Sequence, residues 1–128
     1  MTDERRRVLI VEDNLSNIKL LEAKLQNQGL LVDIAYDGYE AIQKVSEQDF
    51  AVVLLDVMLP GIDGFEVCRR IKQLDKVSAV PIIMMTAIDT NAAKSMSYDA
   101  GADAFFVKPV EDEYLFEKVH SLRQRQAA

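Results

Sequence analysis

Ala51-Val52-Val53-Leu54-Leu55-Asp56-Val57-Met58-Leu59-Pro60-Gly61-Ile62-Asp63-Gly64 is the stretch that decides the fold. Five apolar residues in unbroken succession describe a strand covered on both faces, because a half-exposed strand would alternate. The run stops on a carboxylate, Asp56, and Pro60-Gly61 then turns the chain. The same design recurs on either side. Val8–Val11 is followed by Glu12-Asp13, Ile82–Met85 by Thr86, and Ala104–Val107 by Lys108. Leu31–Ala35 is interrupted by Asp33 and reads as an edge strand.

Amphipathic stretches lie between and after the runs. Ile18, Leu21 and Leu25 recur at helical spacing, with Gly29 placed to end that helix. Ala41, Ile42 and Val45 form a second stripe, and Phe65, Cys68 and Ile71 a third. Ala92, Ala93, Met96 and Ala100 form a fourth, the least apolar. Leu115, Val119 and Leu122 form a fifth, which runs out into the polar tail Arg123-Gln124-Arg125-Gln126. Strict strand–helix alternation predicts an α/β protein with a doubly wound, five-stranded parallel sheet and helices on both faces. At 128 residues, 49% of them hydrophobic, the chain reads as one domain over 1–128, with a core from about 7 to 123 and short polar termini.

Charge and composition exclude several classes. A net charge of −6 argues against direct contact with nucleic acid phosphates or anionic lipid. A single cysteine, Cys68, rules out an intramolecular disulfide and favours a reducing compartment. The basic start Arg5-Arg6-Arg7 is not followed by a signal-peptide core, and no apolar stretch reaches the roughly 18 residues of a membrane span. A cytoplasmic protein without membrane insertion is expected. Cys68 reads as a small buried hydrophobe, and His120, the only histidine, as a solvated helical residue with no His or Cys partner for zinc.

In parallel sheets, function gathers outside the carboxyl ends of the strands. Those ends carry Glu12, Asp13, Asp56, Thr86 and Lys108. Singly, Asp56 reads as a cap or loop residue, Glu12-Asp13 as an acidic pair at a helix N-terminus, Thr86 as an N-cap and Lys108 as a surface lysine. Five such residues at the ends of four different strands read as one site. Three carboxylates repel one another unless cations are present, and Lys108 supplies one charge. A divalent ion that prefers oxygen, Mg²⁺, would supply the rest. One carboxylate could then attack a phosphoryl donor, since phosphoryl transfer needs mainly positioning and charge neutralisation.

The segments Val8-Leu9-Ile10-Val11-Glu12-Asp13-Asn14, Leu54 to Gly64, Met85-Thr86-Ala87 and Val107-Lys108-Pro109 resemble the four signatures of response-regulator receiver domains. The resemblance runs from about Val8 to Leu122. It implies the flavodoxin-like (βα)5 fold with strand order 2-1-3-4-5, and Asp56 as phospho-acceptor. Asp13 and Asp56 would bind Mg²⁺ directly (Mn²⁺ able to substitute), Glu12 through a water, and Met58 through its backbone carbonyl. Lys108 and Thr86 would contact phosphoryl oxygens, Phe105 would be the aromatic that follows Thr86, and Pro109 would follow a cis peptide bond. Met58 and Ile88 would occupy the two positions that tune dephosphorylation. The implied partners are a sensor histidine kinase or histidine phosphotransfer protein, and an output domain or partner reached through helix 4, strand 5 and helix 5. Lys94, Ser95, Tyr98, Glu111, Tyr114 and Glu117 would lie on that face. A phosphorylation-dependent homodimer is a further implied form.

A narrower similarity, through Leu20–Leu25, Asp63–Arg70 and Leu115–Leu122, is to the first receiver of regulators that end in a diguanylate cyclase. Other classes are weighed against these readings. A receiver-like interaction module that takes no phosphate would have lost some of the five residues, and none is lost. A haloacid-dehalogenase-like phosphatase would want Asp where Met58 stands. A flavodoxin-like protein would want a phosphate-cradling loop where Glu12-Asp13-Asn14 stands.

Overall fold

A computed structural model describes residues 3–74 and 80–125, so Gln126 of the polar tail and the outermost terminal residues lie outside the described residues. After a short N-terminal helix, Asp3–Arg6, the strands are β1 (Arg7–Val11), β2 (Leu31–Ala35), β3 (Val52–Asp56), β4 (Ile82–Thr86) and β5 (Ala104–Val107). The helices between and after them are α1 (Leu15–Asn27), α2 (Gly38–Glu47), α3 (Gly64–Lys72), α4 (Asn91–Asp99) and α5 (Asp112–Arg125). The sheet order is β2-β1-β3-β4-β5 and every pairing is parallel, which leaves β2 on an edge as Asp33 suggested. No helix among the described residues is long and apolar enough to cross a membrane.

Alternate strand residues feed two cores. Leu9, Val53, Leu55, Ile82 and Met84 pack with α2, α3 and α4 on one face. Val8, Ile10, Val52, Leu54 and Ile83 pack with α1 and α5 on the other. This period-2 partition is why the strand runs are apolar throughout. Four helices begin on a side-chain cap that satisfies an otherwise orphaned backbone N–H. Asn14 accepts from Asn17 N at 3.0 Å, Asp37 from Glu40 N at 2.8 Å, Asp63 from Glu66 N at 2.9 Å, and Thr90 from Ala93 N at 3.0 Å.

Two helical readings are corrected. In α4 the buried stripe is Ala93, Ser97 and Ala100, whereas Ala92 and Met96 are exposed. Ser97 is admitted to the core because its hydroxyl donates to Ala93 O at 2.8 Å, so its polarity is spent inside the helix. In α5 the helix continues through Arg125, past the point where apolar periodicity ends. Arg123 holds that last turn by donating from Nε to Arg5 O at 2.6 Å.

Candidate functional site

Strand register assembles the site. Val11 pairs with Leu55, so Glu12 comes level with Asp56. Asp56 pairs with Met85, so Thr86 stands one step further, and Thr86 pairs with Val107, so Lys108 stands one further still. The peptide bond between Lys108 and Pro109 is cis. Behind Asp56, α3 begins so close to the strand that a Cβ on Gly64 would run into the Asp56 carbonyl oxygen, and only glycine fits there.

Lys108 Nζ donates to Asp56 Oδ2 at 3.0 Å and lies 3.5 Å from Glu12 Oε2. The other Asp56 oxygen accepts from Met58 N at 3.0 Å. Glu12 is 5% exposed. Its Oε1 accepts from Asn17 Nδ2 at 2.8 Å, and its Oε2 is buried with no hydrogen-bond donor. Burial first, and the adjoining Asp56 carboxylate second, push the Glu12 carboxyl up to about 7 against the pull of Asn17 and Lys108. Thr86 is fully buried at the end of β4, where its Oγ1 accepts from Ile88 N at 3.1 Å.

Glu12, Asp56 and Lys108 therefore come together with Thr86 one strand away, while Asp13 is exposed. Among the described residues, no three acidic, histidine or cysteine side chains form a ready-made metal cluster. The Lys108 ammonium stands beside two of the acids and relieves their repulsion. Asn17 was missed from the sequence. Its only signal is its place in the first turn of α1, where the chain doubles back over the end of β1.

A hard divalent cation suits what is present. The donors are carboxylate oxygens, and one of them, Glu12 Oε2, is buried without a hydrogen-bond donor. Met58 is 60% exposed beside Asp56, and Ile88 is half-buried against the α2–α3–α4 core. Phe105 packs on that same face and pairs in register with Met84, whereas Phe106 packs on the opposite one. Lys94, Ser95, Tyr98, Glu111, Tyr114 and Glu117 are all exposed.

Away from this edge, Cys68 is fully buried, and burial pushes its thiol up to about 11. His120 is half-buried, contrary to the expectation of a solvated side chain. Its Nδ1 accepts from the Arg123 guanidinium at 2.8 Å, which leaves Nε2–H to face Gln28 Oε1 at 3.2 Å. Burial and Arg123 both lower its pKa.

The fold and site define a class: a doubly wound parallel α/β domain with an acid–lysine–threonine constellation at the carboxyl edge of its sheet. The chain belongs to the response regulator receiver domain family, which it matches over residues 8–120. It is 39% identical over 116 residues to response regulator PleD of Caulobacter vibrioides, an alignment covering 91% of this chain and 26% of the relative. The chain thus spans about a quarter of that relative's length. A crystal structure of a response regulator from Chloroflexus aurantiacus superimposes with a TM-score of 0.89 at 34% identity, covering 93% of this chain and 98% of the other. The receiver domain of sensor histidine kinase PA1611 from Pseudomonas aeruginosa, solved with a magnesium ion coordinated in its active-site cleft, gives 0.87 at 28% identity, covering 93% and 98%.

Proposed function

We propose that Asp56 accepts a phosphoryl group from a sensor histidine kinase or histidine phosphotransfer protein, and that the resulting charge switches the α4–β5–α5 face. The observation that carries this reading is the Lys108–Asp56 contact at 3.0 Å, with Thr86 at the neighbouring strand end. Asp56 is the nucleophile because its Oδ atoms are held by Lys108 and by Met58 N while the side chain keeps some exposure to solvent. Lys108 would neutralise charge on the transferred group. Asp13, Asp56, Glu12 (through a water) and the Met58 carbonyl would hold Mg²⁺. The metal's contribution is to neutralise the phosphoryl oxygens.

Thr86 has one oxygen engaged by Ile88 N, and its hydroxyl proton can turn to a new acceptor once Asp56 carries phosphate. Such a turn pulls on the loop leading into α4. Phe105 has no hydroxyl, so its response rests on packing against the α4 side of the core. The exposed residues of α4 and α5 named above would present the change to an output domain, a diguanylate cyclase in the narrower resemblance, or to a second copy of the chain. The setting fits the cytoplasm, and the protein would catalyse only its own phosphorylation and dephosphorylation. With Mg²⁺ and acetyl phosphate, mass spectrometry should find one added phosphoryl group on the wild type and none on Asp56→Asn. Equal labelling of the two would overturn the assignment.

A further inference from the structure

Asn17 connects α1 to the site, and helix stability alone gives no reason for it. The residue is exposed in the first turn of α1, where alanine would serve the helix as well or better. Its side chain donates from Nδ2 to Glu12 Oε1 at 2.8 Å. An ionised carboxylate only accepts, which fixes the amide with its nitrogen toward Glu12. The backbone beneath is held too, since Asn17 N donates at 3.0 Å to the cap Asn14, the residue after Asp13. The start of α1 therefore presents the amide as a fixed arm. An amide donates without charge, so it orders Glu12 and leaves that acid's negative charge for a cation. A lysine or arginine in its place would neutralise it. The amide also engages Oε1 alone. Oε2 stays buried, without a hydrogen-bond donor and 3.5 Å from Lys108 Nζ.

We propose that Asn17 is a positioning residue of the phosphoryl-transfer site, holding Glu12 so that Lys108 stays on Asp56 and Glu12 Oε2 stays available to the Mg²⁺ site. The inference rests on Asp56 as acceptor and Glu12 as a water-mediated metal group, and adds the residue that sets the site's affinity. A glutamate side chain has three rotatable bonds, and the amide fixes its far end. Without the amide, the Glu12 carboxylate has the Lys108 ammonium within reach, 3.5 Å away against 3.0 Å from Lys108 to Asp56. Turning to it would draw Lys108 off the nucleophile and tie up the acid's charge in an ion pair. Both consequences weaken the same site, and neither touches the two cores.

Asn17→Ala should unfold in urea as the wild type does. Its affinity for Mg²⁺, measured by calorimetry on the unphosphorylated protein, should fall roughly tenfold, the lower end for loss of a group that orients a metal ligand. Asn17→Leu, which keeps the bulk and loses both donors, should match it. With acetyl phosphate, labelling of Asp56 should slow by a similar factor at low Mg²⁺ and recover at saturating Mg²⁺. The decisive readout is a double-mutant cycle. On a Glu12→Ala background, Asn17→Ala should change Mg²⁺ affinity by less than about twofold, because the amide acts only through that acid. A general loosening of α1 would lower the affinity on both backgrounds alike. Wild-type Mg²⁺ affinity in Asn17→Ala would overturn the proposal, as would an equal loss with and without Glu12. Mg²⁺ affinity unchanged by Glu12→Ala would instead contradict the role of Glu12 on which the inference stands. Failure of the wild type to be labelled at Asp56 would contradict the acceptor assignment.

Discussion

Two lysine–aspartate pairs of nearly equal length stand at opposite edges of the sheet. At the amino edge Lys72 Nζ lies 3.1 Å from Asp103 Oδ2, and at the carboxyl edge Lys108 Nζ lies 3.0 Å from Asp56 Oδ2. Backbone groups close the first pair. Lys72 also donates to Val80 O at 2.7 Å, the same Asp103 oxygen accepts from Ile82 N at 2.9 Å, and Asp103 N donates to Ile82 O at 2.8 Å. It clamps the end of α3 to the starts of β4 and β5. The second pair is left open. Beside it is a buried oxygen of Glu12 without a hydrogen-bond donor, 3.5 Å from the Lys108 ammonium, and Asp13, next in the chain, is exposed. An ion pair saturated by backbone holds the fold, whereas one with unspent acceptors nearby is available for chemistry.

The open edge should show the larger effects on rate. On the proposed reading Met58 and Ile88 would flank the path of water to a phosphorylated Asp56, and neither side chain can orient a water or accept its proton, so a long-lived phosphoform is expected. Met58→Asn combined with Ile88→Glu should speed its loss by roughly tenfold or more, the scale of a modest general-base or positioning gain. The decay of Asp56 phosphate after removal of the donor measures this, and an unchanged decay contradicts it.

The closed edge should show its effect in stability. Asp103→Asn removes a charged acceptor shared by Lys72 and Ile82 N, at a cost of about 2 kcal/mol. Urea unfolding should register the loss while phosphorylation proceeds as in wild type. A variant as stable as wild type would mean that the clamp is ornamental.

Glu12 gives a smaller, pH-dependent test of the open edge. Its folded-state value of about 7 lies above the ordinary 4.5, so the group favours folding at low pH and that contribution is lost as pH rises from 4.5 through 7. Without Mg²⁺, Glu12→Gln keeps the Asn17 contact and removes the buried charge. It should be more stable than wild type at pH 8, on the order of 1 kcal/mol, with the advantage shrinking toward pH 5. An advantage that grows toward low pH would have the wrong sign. The smallest expected change is in Thr86→Ala, which should still accept phosphate at Asp56. Its amide shifts on phosphorylation across Lys94–Phe106 should be weaker than those of the wild type. Shifts equal to wild type would remove Thr86 from the coupling.

The contrast between the two edges also marks what a sequence discloses. The open edge was legible because each of its residues directly follows an apolar strand run, and parallel pairing brings such positions together whatever the helices do. The closed edge was not legible, since Lys72 and Asp103 are 31 residues apart and neither adjoins an informative motif. Helix faces were readable where apolar residues are large, as with Leu115, Val119 and Leu122. They were misread in α4, where Ser97 hides its hydroxyl in the helix and Met96, though apolar, faces water. His120 looked solvated because one of its partners, Gln28, meets it only when α1 and α5 pack side by side, although the other, Arg123, is three residues on in the same helix. The need for glycine at 64 depends on the approach of α3 to the Asp56 carbonyl and belongs to the fold alone.

The most direct test puts both edges in one experiment, with Asp56→Asn and Asp103→Asn each assayed for phosphorylation and for urea stability. Asp56→Asn should take no phosphoryl group from acetyl phosphate and Mg²⁺ yet unfold within about 1 kcal/mol of the wild type. Asp103→Asn should be phosphorylated at Asp56 while losing about 2 kcal/mol. Peptide mapping that places the label anywhere but Asp56, or an Asp56→Asn variant labelled as well as the wild type, would contradict the assignment of the carboxyl edge as the site of phosphoryl transfer.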